Sequence, residues 1–577
     1  MTDAAALGIE TEYEVIGGKT QRVPDETVRA LAGVLGGGVP LRADPDPGEA
    51  YAPDALAGPG LWGVAVQLYA VRSQRNWGIG DFTDLAGIVR WARSLGADYV
   101  GVNPLHALPY AEPARRSPYY PSSRLFLNVW MIDPDAAARD LNVALPQDED
   151  ALAAARAGDL LDYEAAARAK APAFEALWAG FADAPQDRRD AFANFRTERG
   201  EALARHALFE ALAEHLAPDH GAGFPGWPEA YRTPDTDEVR RFAETHADRV
   251  SFHAFLQWLA HEQLRAAADA APGTSLYLDL AVGAAPDGAE VWAGGDLFAR
   301  GVRLGAPPDP MAMQGQDWGL PPLNPAVLAE RDFAPLRAIL AASMAYAGAL
   351  RIDHVLGFHR QFWIPDGRSA AEGGYVRFPR AGMIAAAAAA SRDHDCLVVG
   401  EDLGTVPEGL TEALHAARIL SYEVARWARL KDGSFMAGPD YPRLCLAVAS
   451  THDVAPIPGW LAGRDLRDRA EAEGWTDDHL AGARKERAAE RDGLLTLWGV
   501  SDEAPPETVV LAAHRFLAAS KAGVVLAALE DVLLQEEQVN MPGTTDEYPN
   551  WRVRYARDLE DWTQDEGAAA LARAAAR

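Results

Sequence analysis

The chain has 577 residues and 49% hydrophobic content, enough to bury one large core or several. Its 84 acidic residues against 54 basic ones give a net charge of −30, which repels phosphate backbones and anionic headgroups and argues against nucleic acid or a membrane surface as partner. The two cysteines, Cys396 and Cys445, lie in the apolar runs "DCLVVG" and "RLCLAVAS" and read as buried free thiols of a reducing compartment. The N-terminus lacks a basic segment followed by an apolar one, and no apolar stretch is long enough to span a bilayer, so the expected setting is soluble and cytoplasmic.

Residues 1–60 read as a short helical extension, in which "DETVRALAGVLG" forms one helix with Asp25 as N-cap and Gly36 to Gly38 ending it. From residue 61 onward, short apolar runs suited to buried parallel strands follow one another. They are "WGVAVQL" (62–68), "DYVGVNP" (98–104), "SLYLDLAV" (275–282), "ALRID" (349–353), "CLVVGED" (396–402), "ILSYEV" (419–424), "LCLAVASTHD" (444–453) and "LLQEEQVN" (533–540). Helical stretches such as "FTDLAGIVRWARSLG" and "FAPLRAILAASMAYAGA" separate most of them. Eight strands alternating with helices predict an α/β fold, a (β/α)8 TIM barrel over residues 61–577. Two gaps, about 105–274 and 454–532, exceed one βα unit and read as helical insertions, the first walling one end of the barrel. Too few residues follow the eighth strand for a C-terminal β-sandwich domain.

Three of these strands end in acids: "RID" at Asp353, "VGED" at Glu401 and Asp402, and "STHD" at Asp453. Active sites of such barrels form at the C-terminal strand ends, so these acids are expected around one pocket. Converging carboxylates without a Cys/His ligand cluster suit glycosyl transfer or a divalent metal. Arg351, two residues before Asp353 on the same strand face, favours the first, because a cation there holds an aspartate ionised and aimed as a nucleophile. His452 beside Asp453 can donate to a sugar hydroxyl. Aromatics in the nearby segments (Tyr69, Trp77, Tyr119, Tyr120, Trp292, Trp318, Phe358, Phe362 and Trp363) offer flat faces for pyranose rings. The pocket reads as a carbohydrate site.

"RIDHVLGF", "VVGEDLGTVP" and "STHD", in that order, resemble the segments of the 4-alpha-glucanotransferases, the amylomaltase or disproportionating-enzyme family (glycoside hydrolase family 77) related to the α-amylases. "LYAVRSQRNWGIGDFTDL", "SPYYPSSRLFLN", "LDLAVGAAPDGAEVW", "GAPPDPMAMQGQDWGLPPL" and "NMPGTTDEYPNWR" extend the likeness from about residue 61 to the end. "LGIETEYE" is similar to the start of the longer bacterial members, whose extra N-terminal β-rich domain is expected to be absent or vestigial here.

The resemblance implies a retaining double displacement between α-1,4-glucans, with glucose or a maltooligosaccharide as acceptor and without metal or organic cofactor. Asp353 is the expected nucleophile, Glu401 the acid and base, and Asp453 the transition-state stabiliser, with Arg351 and His452 in support. The matching segments add Ser117, Tyr119, Trp292, Asp309, Gln316, Trp318, Asn540, Pro542 and Gly543 as expected substrate contacts. Each has a plainer rival. Arg351 and Asp353 can be a structural ion pair, Asp402 competes with Glu401, and Asp453 can cap the turn after its strand. His354 and His359 read as structural or subsite-edge groups. The aromatics can be core, and Asn540, Pro542 and Gly543 a turn. An α-amylase-type hydrolase, a silent glucan-binding protein and a metal-dependent barrel enzyme are the competing functions.

Overall fold

A computed structural model of the chain describes residues 4–15, 19–36, 47–146, 148–308 and 312–577. Eight parallel strands form the central sheet: β1 (Leu61–Val66), β2 (Tyr99–Val102), β3 (Ser275–Leu280), β4 (Ala349–Ile352), β5 (Leu397–Gly400), β6 (Ser421–Val424), β7 (Cys445–Val448) and β8 (Val524–Ala528). Each pairs with its sequence neighbours, and β8 returns to β1. The barrel closes between β5 and β6 through a parallel bridge of Val399 to Leu420, where the Gly400 amide donates to the Leu420 carbonyl at 2.7 Å. The observed fold is thus a (β/α)8 barrel.

The strands are short apolar runs because both faces are covered. On one face Leu61, Tyr99, Tyr277, Ala349, Leu397, Val399, Tyr422, Leu446 and Leu526 pack together as the barrel interior. The alternate residues, among them Val64, Val100, Leu278, Leu350, Val398, Ala447 and Val525, belong to the larger core shared with the helices. This period of two puts Asp279 in register with Tyr277, Arg351 with Ala349, and Glu401 with Val399, all pointing inward at the C-terminal end.

One expected strand is corrected. The eighth is "VVLAA" at 524–528, inside the stretch read as the second insertion, and "LLQEEQVN" is not a strand. It lacks the continuous apolar run that a doubly covered strand needs; a short helix, Leu529–Val532, leads into it. Between β7 and β8 stand four helices, Ile457–Ala462, Arg464–Glu473, Asp477–Trp498 and Pro506–Ala518. Between β2 and β3 lie six, the longest Gln186–His220 and Ala247–Ala268, with a small hairpin of His106–Ala107 and Ser123–Leu127. The residues after β8 carry only short helices and no β-sandwich.

The N-terminal region is more than a helix. A hairpin, Glu12–Val15 with Lys19–Arg22, precedes the helix Asp25–Leu35. Pro24 occupies the N-cap position and Asp25 is the first helical residue; Gly36 ends the helix at φ 64°, while Gly37 and Gly38 lie outside the described residues. The region docks on a four-stranded antiparallel sheet that the sequence reading did not anticipate, ordered Gly374–Arg377, Arg360–Pro365, Val302–Ala306, Gln316–Asp317. Glu10 anchors it by pairing with Arg360 at 2.7 Å and Arg377 at 3.0 Å.

Gly63 on β1 faces inward so closely against β2 that a Cβ there would lie 2.2 Å from the Tyr99 carbonyl oxygen and 2.9 Å from Leu526. Gly63→Ala is therefore expected to cost roughly 1–3 kcal/mol of stability, as overpacking does. Denaturant or thermal unfolding checks this, and an unchanged midpoint contradicts the packing described.

Candidate active site

The inward-facing residues at the C-terminal ends of β3, β4 and β5 converge on one guanidinium. Arg351 and Asp279 are register partners on adjacent strands, and Arg351 Nη1 lies 2.8 and 2.9 Å from the two Asp279 oxygens. Its Nη2 reaches Asp353 Oδ1 at 3.0 Å and Glu401 Oε2 at 3.9 Å. The guanidinium stands over the Tyr422 ring at 5.6 Å. One buried cation thus faces three carboxyls. Burial pushes the Asp353 and Asp279 carboxyls above the usual range, and in both Arg351 opposes that rise.

The two acids after β5 are sorted by their contacts. Glu401 turns into the cluster; its Oε2 accepts from the His354 amide at 3.0 Å and its Oε1 from the Leu403 amide at 2.7 Å. Asp402 turns the other way and accepts from the Tyr422 amide at 3.0 Å, stitching β5 to β6. Burial, opposed by that hydrogen bond and helped by Glu401, raises Asp402 to about 6. His354 takes a left-handed backbone, φ 50°, which presents its amide to Glu401.

Asp453 follows β7 and is held from two sides. His452 Nε2 lies 3.2 Å from Asp453 Oδ2, and Asn540 Nδ2 donates to Oδ1 at 2.7 Å. The Asn540 amide also donates to the His452 carbonyl at 3.0 Å, so the segment after β8 clamps the one after β7. The Asp453 side chain remains 40% exposed, a carboxylate edge open to the mouth of the barrel. Tyr119 joins the two halves of the site. Its hydroxyl donates to Asp279 Oδ2 at 2.5 Å, and its ring stacks on His452 with centroids 4.9 Å apart. Trp551 packs against both rings at 5.4 and 5.6 Å.

Further out, Trp318 meets His354 edge-on at 4.9 Å, and its indole N–H donates to Gln316 Oε1 at 3.1 Å. Gln316 and Trp318 therefore sit beside the residue that contacts Glu401. Ser117 is half-buried two residues before Tyr119, in a turn where its carbonyl accepts from the Tyr120 amide. Pro542 and the exposed Gly543, φ 90°, form a turn just past Asn540. The 117 and 540 segments are tied together by Arg116, which bonds the Thr545 carbonyl and Asp546. Asp309 lies outside the described residues.

Several expected contacts are core. Trp292 is 1% exposed, packs on Phe209 and donates to the Tyr231 carbonyl, so it has no face for a ligand. Phe362 and Trp363 belong to the antiparallel sheet, Phe362 packing edge-on with Tyr13 and Tyr375 and Trp363 with Phe378. They do not wall the site, because strand alternation there buries both faces, and Phe358 is buried too. Trp77 is buried and bonded to Asp135. Sequence reasoning missed Asp279 and Trp551. The lone acid inside the apolar strand "SLYLDL" was the signal for Asp279; nothing local marked Trp551, whose role depends on the fold bringing its loop to Tyr119 and His452.

An eight-stranded parallel barrel with four carboxyls, one guanidinium and the imidazoles of His354 and His452 gathered at its C-terminal mouth has the architecture of a (β/α)8 enzyme. The chain belongs to the 4-alpha-glucanotransferase family, whose model matches residues 66–560. A 4-alpha-glucanotransferase of Mycobacterium tuberculosis is 39% identical over 559 residues, covering 90% of this chain and 76% of that protein. The Haemophilus influenzae 4-alpha-glucanotransferase is 37% identical over 546 residues, covering 89% and 78%. The fold matches a solved amylomaltase from Corynebacterium glutamicum with a TM-score of 0.84 at 23% identity, over 99% of this chain and 98% of that one. An amylomaltase from Streptococcus agalactiae, solved with acarbose, gives 0.72 at 21% identity, over 90% and 99%.

The pairing of His452 with Asp453 has a definite sign. Burial lowers an imidazole's pKa, but Asp453 outweighs it and His452 is raised above its ordinary value. Burial raises a carboxyl, but His452 and Asn540 outweigh it and Asp453 is lowered. The ion pair therefore holds between the two values, fading as pH rises through that of His452 and as it falls through that of Asp453. In an NMR titration of the histidine rings, Asp453→Asn should bring His452 below its ordinary value; an unmoved His452 would place its partner elsewhere.

Proposed function

We propose that the acid cluster transfers α-1,4-glucan segments from one maltodextrin to the 4-hydroxyl of another, or of glucose, by two successive displacements at the anomeric carbon. Asp353 attacks that carbon and forms a β-linked glycosyl-enzyme while Glu401 protonates the departing oxygen. Glu401 then takes the proton from the acceptor hydroxyl as the acceptor displaces Asp353, and two inversions restore the α-linkage. The observation that carries this reading is the shared contact on Arg351 Nη2, with Asp353 and Glu401 oxygens at 3.0 and 3.9 Å. Sharing one nitrogen limits how far apart the two oxygens can lie, which rules out most of the wide range of an inverting pair, about 6.5–9.5 Å, and is compatible with the close pair of a retaining enzyme, about 5–5.5 Å.

The surrounding charge supports the same chemistry. Four carboxyls face one guanidinium, His452 and a His354 imidazole that burial holds below its ordinary value, so the pocket favours the positive charge that develops on the sugar ring in an oxocarbenium-like transition state. The exposed edge of Asp453, with His452 and Asn540 behind it, suits the hydroxyls of the reacting sugar. Proton transfer and charge stabilisation run on side chains, and no metal or organic cofactor enters the scheme. Trp427, 39% exposed three residues past β6, offers an apolar face for a sugar ring at this end of the barrel. A cytoplasmic setting is part of the same proposal, supported by the two buried free thiols.

Maltotriose supplied alone tests the reaction. Longer maltooligosaccharides should appear with free glucose while total reducing ends stay constant; rising reducing ends with nothing longer than maltotriose would make the enzyme a hydrolase. Glu401→Gln should lower transfer by about 10² to 10⁴. Asp402→Ala should retain most turnover and lose thermal stability instead, since it removes the acceptor of the Tyr422 amide. The reverse outcome in these two variants would exchange the roles of the acids.

A further inference from the structure

The chain that follows β8 grips the loop that carries Asp453 at several points. At the loop's far end, Asp531 Oδ1 accepts from the Ile457 amide at 2.6 Å. At its near end, the Asn540 amide meets the His452 carbonyl and Asn540 Nδ2 meets the Asp453 carboxyl. Between them stands Gln538, buried at 5% exposure. Its Nε2 donates to the Asp453 carbonyl at 2.9 Å and to the Asn540 carbonyl at 2.7 Å. Only the NH2 end of a carboxamide can meet two carbonyl oxygens, so the partners fix which way this side chain faces, and both its protons are engaged. The Tyr548 hydroxyl donates to the Gln538 carbonyl at 2.8 Å and so holds the backbone from which the carboxamide reaches.

We propose that Gln538 is a positioning residue for the transfer reaction, locking the backbone of Asp453 to that of Asn540 so that the Asp453 carboxyl keeps its place beside the reacting sugar. Asp453 lies five residues past the end of β7, where the sheet no longer sets its backbone. Asn540 reaches the Asp453 side chain but lies in a loop of its own, so that contact alone fixes neither partner. One carboxamide on both carbonyls makes the two loops a unit. A displacement of either would strip a buried donor of its acceptor, which is the costly way to lose a hydrogen bond. Packing alone asks for no amide here, since an apolar side chain of the same size fills the space without a polar group to satisfy. Gln538 acts through Asp453 rather than on the sugar. The inference rests on the reading of Asp453 as the group that stabilises the transition state, and adds what aims it.

Gln538→Met removes both donors and keeps the length of the side chain. In steady-state transfer from maltotriose it should lower kcat about tenfold to a hundredfold, the effect of a small misplacement, with KM within about twofold of wild type. Because Asp453 is what raises His452, the His452 ring in the same variant should titrate closer to its ordinary value. Tyr548→Phe loosens the same segment and leaves the carboxamide in place, so its kcat should stay within about twofold of wild type. Gln538→Glu, equal in size but with at most one proton for two carbonyls, should lose kcat as Gln538→Met does, and decides the matter if the methionine variant is too unstable to assay. Wild-type kcat in the Gln538 variants, an equal loss in Tyr548→Phe, or an unmoved His452 overturns the positioning role; with Asp453→Asn inactive, the transferase reading then still stands. An active Asp453→Asn enzyme overturns the role of Asp453 and this inference together.

Discussion

The site depends on burying Arg351. A guanidinium carried on a strand of a closed barrel loses most of its water, and the loss is tolerable only when carboxylates meet it at close range. Here three do. Asp279 holds it on one side in a two-oxygen contact, which leaves Nη2 free to face Asp353 and Glu401. Without Asp279 the cation would be shared by Asp353 and Glu401 alone. The arrangement of this cluster, one acid gripping the cation and two facing its other nitrogen, follows from strand register, because Asp279 and Arg351 are paired neighbours and Asp353 and Glu401 are each the first residue beyond their strands.

The other half of the site is built differently. Asp453 lies five residues past β7, in a loop, and loops are aimed by what they touch. His452, Asn540 and the stacked rings of Tyr119 and Trp551 supply that aim, drawing on the insertion after β2, the segment after β7 and the segment after β8. The insertions therefore do more than cover the barrel. They bring Tyr119 onto Asp279 and His452 at once, so the strand-borne cluster and the loop-borne acid are coupled through one hydroxyl and one ring face.

The sequence showed the barrel and the three acids because both are local signals: short apolar runs, each ending in a charge. Glu401 could not be told from Asp402 locally, since adjacent residues at a strand end face opposite ways and only the barrel says which way is in. "VVLAA" escaped notice because small apolar residues after a helix read as more helix, whereas "LLQEEQVN" drew attention through its position after a long gap. The aromatics were the least legible group. Trp292, Phe362 and Trp363 have the same composition as a sugar platform and the burial of a core, and packing decides between the two. Asp279 was visible as a lone acid in an apolar strand, but its use became clear only with Arg351 opposite it.

The account stands on a covalent bond between the sugar and Asp353. The most direct measurement is the mass of the protein, and of its peptides, after a rapid acid quench of Glu401→Gln enzyme incubated with maltotriosyl fluoride, whose leaving group needs no acid. A protein heavier by one maltotriosyl unit, with the adduct on the peptide that carries Asp353, is the predicted result. No adduct, or an adduct on Asp279 or Asp453, would contradict it.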